Sequence, residues 1–207
     1  MRVLLTGATG FVGRAVLGRL VAADDLQPVA AIREHASLDY SQELAIVRTP
    51  GLDRDTDWSQ ALDQVAVVIH SAARVHVMND IESDPLEAFR KVNVEGTLSL
   101  ARQAASLGVR RFIFVSSIKV NGEGTSLNPY LADALPAPVD PYGISKMEAE
   151  QGLRNIANDS GMEVVIIRPV LVYGPGVKAN FLNMMRWLDK GVPLPFGAIH
   201  NRRSLVA

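Results

Sequence analysis

The chain has no cysteine among its 207 residues. That excludes a disulfide framework and thiolate chemistry, and it is compatible with a reducing compartment without demanding one. Histidine is scarce: of four, His70, His76 and His200 show no metal-ligand spacing, so no metal centre is expected. Neither sign of charge is in excess, since 21 Lys and Arg face 22 Asp and Glu, and nothing points to a polyanion such as nucleic acid. No apolar run reaches the length a bilayer requires. The N-terminal run Val3-Leu4-Leu5 passes directly into glycines, which is not how a signal peptide reads. These absences leave a cytoplasmic protein with a small-molecule partner and no membrane as the expectation.

What is present fits an ordinary globular domain. Hydrophobic residues make up 48% and charged residues 21%, enough for a sizeable core. Apolar, Val- and Ile-rich stretches at Arg2–Thr6, Pro28–Ile32, Leu44–Val47, Val65–His70, Arg111–Val115 and Glu163–Ile167 read as strands covered on both faces. Helical patterns fall between them at Phe11–Ala22, Trp58–Leu62, Pro85–Leu107 and Pro141–Asp159, with Gly108 and Gly161 where helix-ending glycines belong. Alternation of this kind predicts an α/β fold with a doubly wound parallel sheet. Two segments break the pattern, Lys119–Asp140 with its prolines and Pro169–Lys178 with Gly174-Pro175-Gly176. Both follow strands, so both are expected at the carboxyl edge of the sheet, where ligands bind in open α/β folds.

The stretch Thr6–Gly13, TGATGFVG, sits between the first strand and the first helix. Gly7, Gly10 and Gly13 let the backbone turn sharply and let a pyrophosphate approach the helix N-terminus, whose outward amides and dipole favour negative charge. A strand–turn–helix with small residues for packing alone is the bland alternative; the position at the first βα turn favours a dinucleotide site. Tyr142 and Lys146 stand one helical turn apart and share a face. A lysine ammonium there would lower the phenol pKa toward a range useful for proton exchange with an alcohol or ketone. Ser116 and Ser117 end a strand, where they either satisfy the turning backbone or bond a substrate oxygen. Asn93 lies mid-helix, facing solvent or holding a buried network.

TGATGFVG, HSAA at His70–Ala73, Asn93, VSS at Val115–Ser117, YGISK at Tyr142–Lys146 and RPVLVYGPG at Arg168–Gly176 occur in one order. In this ordered set the chain resembles the extended short-chain dehydrogenase/reductases, the NAD-dependent epimerase/dehydratase family. ARVHVMND at Ala73–Asp80, KVNGEGT at Lys119–Thr125 and NRRSLV at Asn201–Val206 are similar to the bacterial UDP-glucose 4-epimerase-like and UDP-sugar 4-ketoreductase branch of polysaccharide synthesis. The resemblance covers essentially the whole chain.

It implies a Rossmann-like NAD(P)-binding domain over residues 1–168 and the start of a substrate lobe over 169–207, with Ala207 falling inside that lobe. It implies Tyr142 as acid/base, Lys146 at the nicotinamide ribose, Ser117 on the sugar C4 oxygen, and Asn93 supporting the lysine through a water. Gly7, Gly10, Phe11, Val12 and Gly13 would cradle the pyrophosphate. Ala72 and Ala73 would line the adenosine side, and Pro169 and Val172 the nicotinamide. Asn180 and Arg203 would contact the diphosphate of a nucleotide sugar. Dimerisation through the helices near Pro85–Leu107 and Pro141–Asp159 is also implied.

Two departures carry information. Dehydratases of the family place an Asp-Glu pair where this chain has Ile118 and Lys119, so no carboxyl is at hand to expel a hydroxyl. The second strand ends in Arg33 rather than the carboxylate that bonds the adenosine ribose, and a guanidinium can pair with a 2′-phosphate, which leans toward NADP. The expectation is therefore a UDP-hexose or UDP-N-acetylhexosamine 4-epimerase acting through a 4-keto intermediate. The alternatives are an NAD(P)H-dependent UDP-4-keto-6-deoxy-N-acetylhexosamine 4-reductase and a non-catalytic dinucleotide-binding protein.

Overall fold

The computed structural model describes residues 1–38, 44–75, 84–125, 128–177, 179–193 and 202–207. His76, His200, Lys178 and Asn201 lie outside the described residues, as do residues 76–80 of ARVHVMND, residues 126–127, and the side chain of Asn180. The chain divides into two compact units, Met1–Arg168 and Pro169–Ala207.

In the first unit, six parallel strands form one sheet: β1 (Arg2–Thr6), β2 (Gln27–Arg33), β3 (Ala45–Thr49), β4 (Val67–His70), β5 (Arg111–Val115) and β6 (Glu163–Ile167). Their spatial order is β3-β2-β1-β4-β5-β6, a doubly wound sheet whose order reverses between β1 and β4. Period-two alternation sends successive side chains to opposite faces. Leu4, Val29, Ala31, Val68, Phe112 and Phe114 face one way, under Trp58, Leu62, Leu100 and Leu153. Val3, Leu5, Ala30, Ile32 and Val67 face the other, under Leu17 and Leu20 of α1 (Phe11–Val21). Two-face cover does not extend to β6, where Val165 and Ile167 are exposed, because β6 is the outermost strand among the described residues.

The remaining helices are α2 (Ser59–Leu62), α3 (Pro85–Phe89), α4 (Thr97–Ser106) and α5 (Pro141–Ser160). Local chemistry sets their ends. The Asp140 carboxylate accepts the Gly143 amide at 2.6 Å and Pro141 occupies the first turn, so α5 starts there; Gly161, at φ 74°, ends it. Asp84 and Pro85 start α3 in the same way. The predicted single helix Pro85–Leu107 is three consecutive pieces, with a π-helix at Arg90–Gly96 between α3 and α4. The wider turn buries Asn93 and lets Gly96 press on the Leu52 backbone, where a Cβ would sit 2.8 Å from the Leu52 carbonyl.

The second unit holds β7 (Leu171–Val172), α6 (Ala179–Asp189) and β8 (Leu205–Val206), with β7 and β8 paired in parallel. None of the three is among the predicted elements. The strands are too short to show a period, and α6 follows directly on the Gly-Pro-Gly segment. No helix of the described residues is long and apolar enough to cross a membrane.

His70 ends β4 fully buried, its ring nitrogens 2.7 Å from Thr6 Oγ1 and 2.9 Å from Thr97 Oγ1, between Phe112 and Phe114. Burial first, and the Lys146 charge second, push its pKa down to about 3. The unfolded imidazole titrates near 6.5, so between those values the unfolded chain binds a proton that the folded chain refuses. The His70 contribution is complete above 6.5 and falls on acidification by up to about 1.4 kcal/mol per pH unit. Urea unfolding between pH 7 and pH 5 is expected to show this slope; His70→Asn starts less stable but loses the slope in that range.

Candidate active site

The glycine turn and the end of β4 meet where the strand order reverses. Thr6, the last residue of β1, accepts Ser71 Oγ on its carbonyl at 2.7 Å and the Ala72 amide on its hydroxyl at 3.3 Å. Gly7 follows at φ 74°, and a Cβ there would lie 2.6 Å from the Ala72 nitrogen. A Cβ at Gly13 would run into the Gly7 carbonyl. Both glycines are thus required by close packing of turn, helix and β4 loop.

Gly10 differs from them. It is exposed, its own amide closes the turn on the Gly7 carbonyl at 2.9 Å, and it precedes α1 with no side chain capping the first turn. The amides of Phe11 and Val12 are the helix-start donors that an anionic group takes up. This side-chain-free helix start at the switch point fits a dinucleotide pyrophosphate. Ala72 is brought against the turn, with Ala73 next to it, and Arg33 is exposed at the carboxyl end of β2, beside β1.

Downstream, the two serines after β5 separate in role. Ser116 is buried and donates to Glu150 Oε1 at 2.6 Å. Ser117 opens a short 3₁₀ turn, Ile118–Val120, its Oγ accepting the Lys119 amide at 3.2 Å, and its hydroxyl is near enough to the Tyr142 phenol to act on its pKa. Tyr142 lies in the first turn of α5, edge-on to Phe89 with ring centroids 5.9 Å apart. One turn on, Lys146 is fully buried; its Nζ donates to the Val115 carbonyl at 2.9 Å, 4.5 Å above the Phe114 ring and 5.9 Å from the Tyr142 ring centre.

The electrostatics differ from the expectation that Lys146 depresses the phenol. Burial foremost, then Asp140, pushes the Tyr142 pKa up to about 12, against which Lys119 and the Ser117 hydrogen bond act. Lys146 is itself pushed down to about 7 by burial, with Glu150 opposing. Its amine is turned to the β5 carbonyl rather than to the phenol oxygen.

Asn93 holds a buried network. Its Oδ1 accepts the Arg74 amide at 2.8 Å, and its Nδ2 donates to the Arg74 carbonyl and to Ser145 Oγ, both at 3.0 Å. Ser145 Oγ in turn donates to the Tyr142 carbonyl at 2.8 Å. In this structure Asn93 therefore ties the loop after β4 to the first turn of α5.

Sequence reasoning missed the support beneath Lys146. Glu150, one turn further on the same face, is 2% exposed in its side chain and takes a two-pronged bond from Arg168, Nε to Oε1 at 2.9 Å and Nη2 to Oε2 at 2.6 Å. Arg168 also donates to Asn121 at 3.2 Å. The spacing Tyr142, Lys146, Glu150 on one helical face was the signal available. Pro169, Val172, Asn180 and Arg203 belong to the second unit, Val172 on β7, Asn180 on α6 and Arg203 exposed just before β8. Among the described residues no group of His, Asp or Glu is arranged to hold a metal ion.

A glycine turn at the switch point of a doubly wound sheet, with serine, tyrosine and lysine at the neighbouring carboxyl edge, defines an extended short-chain dehydrogenase/reductase. More narrowly, the chain belongs to the NAD dependent epimerase/dehydratase family, whose description matches residues 3–205. It is 50% identical to a UDP-glucose 4-epimerase of Vibrio cholerae over 99% of this chain, and it spans 62% of that protein's length. Among solved structures it is similar to UDP-glucose 4-epimerase of Thermotoga maritima with UDP-glucose (TM-score 0.79, 24% identity, covering 100% of this chain and 69% of that one). It is also similar to UDP-glucuronic acid 4-epimerase of Bacillus cereus in complex with UDP-glucuronic acid and NAD (TM-score 0.76, 25% identity, 94% and 65%).

Proposed function

We propose that this chain is the cofactor-binding part of a nucleotide-sugar 4-epimerase, with residues 1–168 holding NAD(P) and residues 169–207 opening the lobe that receives a UDP-hexose or UDP-N-acetylhexosamine. The observation that carries the reading is the grouping of Ser117, Tyr142 and Lys146 at the carboxyl edge of β5, Lys146 one turn from Tyr142, on a sheet whose switch point presents an uncapped helix start. The 50% identity to the Vibrio cholerae enzyme supports it.

When bound, the nicotinamide supplies the hydride acceptor and donor; proton handling and orientation fall to the protein. Gly10 and the amides of Phe11 and Val12 would hold the pyrophosphate, with Gly7 and Gly13 shaping the turn. Ala72, Ala73 and Arg33 would flank the adenosine, and Pro169 and Val172 the nicotinamide. Ser117 would orient the C4 oxygen while Tyr142 removes its proton and later returns one to the ketone. Lys146 would bind the nicotinamide ribose and Asn93 would keep its helix turn in place. Asn180 and Arg203 would grip the diphosphate, the latter with a planar fork suited to phosphate. With full-length protein, a UDP-sugar deuterated at C4 is expected to give its C4 epimer with the deuterium kept at C4; wash-out of the label overturns the reading.

Arg33 favours a second reading. Its guanidinium, exposed at the end of β2, suits a 2′-phosphate, and NADPH would suit a UDP-4-keto-sugar 4-reductase using the same residues. Arg33→Asp is expected to weaken NADP(H) binding by roughly tenfold to a hundredfold while NAD(H) binding holds or tightens, on the scale of a charge-assisted hydrogen bond. Calorimetric titration with both dinucleotides checks it, and equal losses for both would remove the argument for NADP. A cytoplasmic homodimer through the helices near Pro85–Leu107 and Pro141–Asp159 completes the proposal.

A further inference from the structure

Lys119 stands where the 3₁₀ turn after β5 comes closest to the start of α5. Its Nζ forms an ion pair with Asp140 Oδ2 and a second with Glu123 Oε1 at 2.9 Å. Its amide donates to Ser117 Oγ, and Asp140, with its other oxygen, caps α5 at the Gly143 amide. The two backbones are also in contact, since a Cβ at Gly143 would lie 2.9 Å from the Lys119 carbonyl. One side chain thus spans from the Ser117 turn to the residue that starts the Tyr142 helix. Lys119 remains less than half exposed and Asp140 more buried still, so the pair is shielded from part of the solvent.

We propose that Lys119 is a positioning residue of this site: its ion pair with Asp140 locks the Ser117 turn onto the first turn of α5, the turn that carries Tyr142. This rests on the assignment of Tyr142 as the acid/base. The charges act in opposite senses, Asp140 pushing the phenol pKa up and Lys119 pulling it down. Other groups facing the ring are Ser117, Lys146 one turn on, and Phe89, over which Arg74 lies at 5.7 Å; Glu123 acts only through Lys119. A clamp with opposed charges fixes geometry without leaving the phenol next to an uncompensated anion.

The test requires no turnover, so it stands or falls separately from the epimerase reading. Full-length protein carrying ring-fluorinated tyrosine, whose phenol is intrinsically more acidic, is followed by fluorine NMR, the Tyr142 resonance being identified by its loss in Tyr142→Phe. The phenolate fraction is read at one pH below about 10, where a lysine keeps its charge and circular dichroism shows the fold intact. Asp140→Asn keeps the helix cap and removes the anion. It is expected to raise the Tyr142 phenolate fraction roughly threefold to tenfold, the scale of one nearby charge. Lys119→Met added to it is expected to bring the fraction back down, and Lys119→Arg in its place to preserve the rise. An unchanged fraction in Asp140→Asn, or a double Met variant equal to the single, overturns the proposal.

Discussion

Tyr142→Phe in the full-length protein is expected to lower kcat by about 10²–10⁴-fold, the usual contribution of a positioned acid/base. Dinucleotide affinity is expected to stay within a few-fold. The substitution removes one oxygen and leaves the ring, so the edge-on contact with Phe89 at 5.9 Å survives. What goes is the hydroxyl on whose pKa the neighbouring Ser117 acts. The phenol starts from an unfavourable position for a base, because burial and Asp140 hold its pKa near 12. Turnover by the wild type should therefore rise with pH in the alkaline direction as phenolate becomes available, and the variant should lose that rise. Steady-state kinetics with dinucleotide binding measured separately checks both parts. Unchanged turnover would remove Tyr142 from the proton path; a parallel loss of dinucleotide affinity would reassign it to binding.

Arg168→Met is expected to cost about 3–5 kcal/mol of stability, the price of stranding a buried charge. Glu150 is 2% exposed in its side chain and Arg168 12%, and their two-pronged bond is the main compensation for burying the carboxylate. Ser116 supplies one further bond at 2.6 Å, and the mostly exposed Arg154 guanidinium comes only to 4.0 Å, together too little to replace a two-pronged bond. Without Arg168 the Glu150 carboxylate, which opposes the downward shift of Lys146, loses the partner that holds it in place. The damage should thus reach Lys146 as well as the fold. Adding Glu150→Gln to Arg168→Met should recover part of the loss, since no charge is then left behind. Urea unfolding of the three variants checks this, and a loss below about 1 kcal/mol in the single variant would mean that water reaches Glu150.

Much of the first unit was legible in the sequence because its signals are local. Strands such as Arg111–Val115 announce themselves by unbroken Val, Ile and Phe, and α5 by Asp140-Pro141 at one end and Gly161 at the other. Glycines at the first βα turn locate the switch point for the same reason, since close backbone approach demands Gly7 and Gly13. The π-helix was not legible: insertion of one extra residue into a helical turn leaves no trace in the apolar period of Pro85–Leu107. Nor were the partners of single polar residues. Ser116 and Ser117 are adjacent and chemically identical, and what distinguishes them is that one donates to the buried Glu150 while the other caps the turn at the Lys119 amide. The Lys119–Asp140 pair spans a loop with no period of its own, so its closure is a tertiary fact.

The most direct measurement of the central claim is a cofactor balance on the full-length protein. It is mixed with a UDP-hexose or UDP-N-acetylhexosamine and a trace of NAD, and separately with NADPH and a UDP-4-keto-6-deoxy-N-acetylhexosamine. The expected result is interconversion of the C4 epimers with no net change in the cofactor. Stoichiometric loss of NADPH with the keto sugar, and no epimerisation in the first mixture, would contradict the account and establish a reductase.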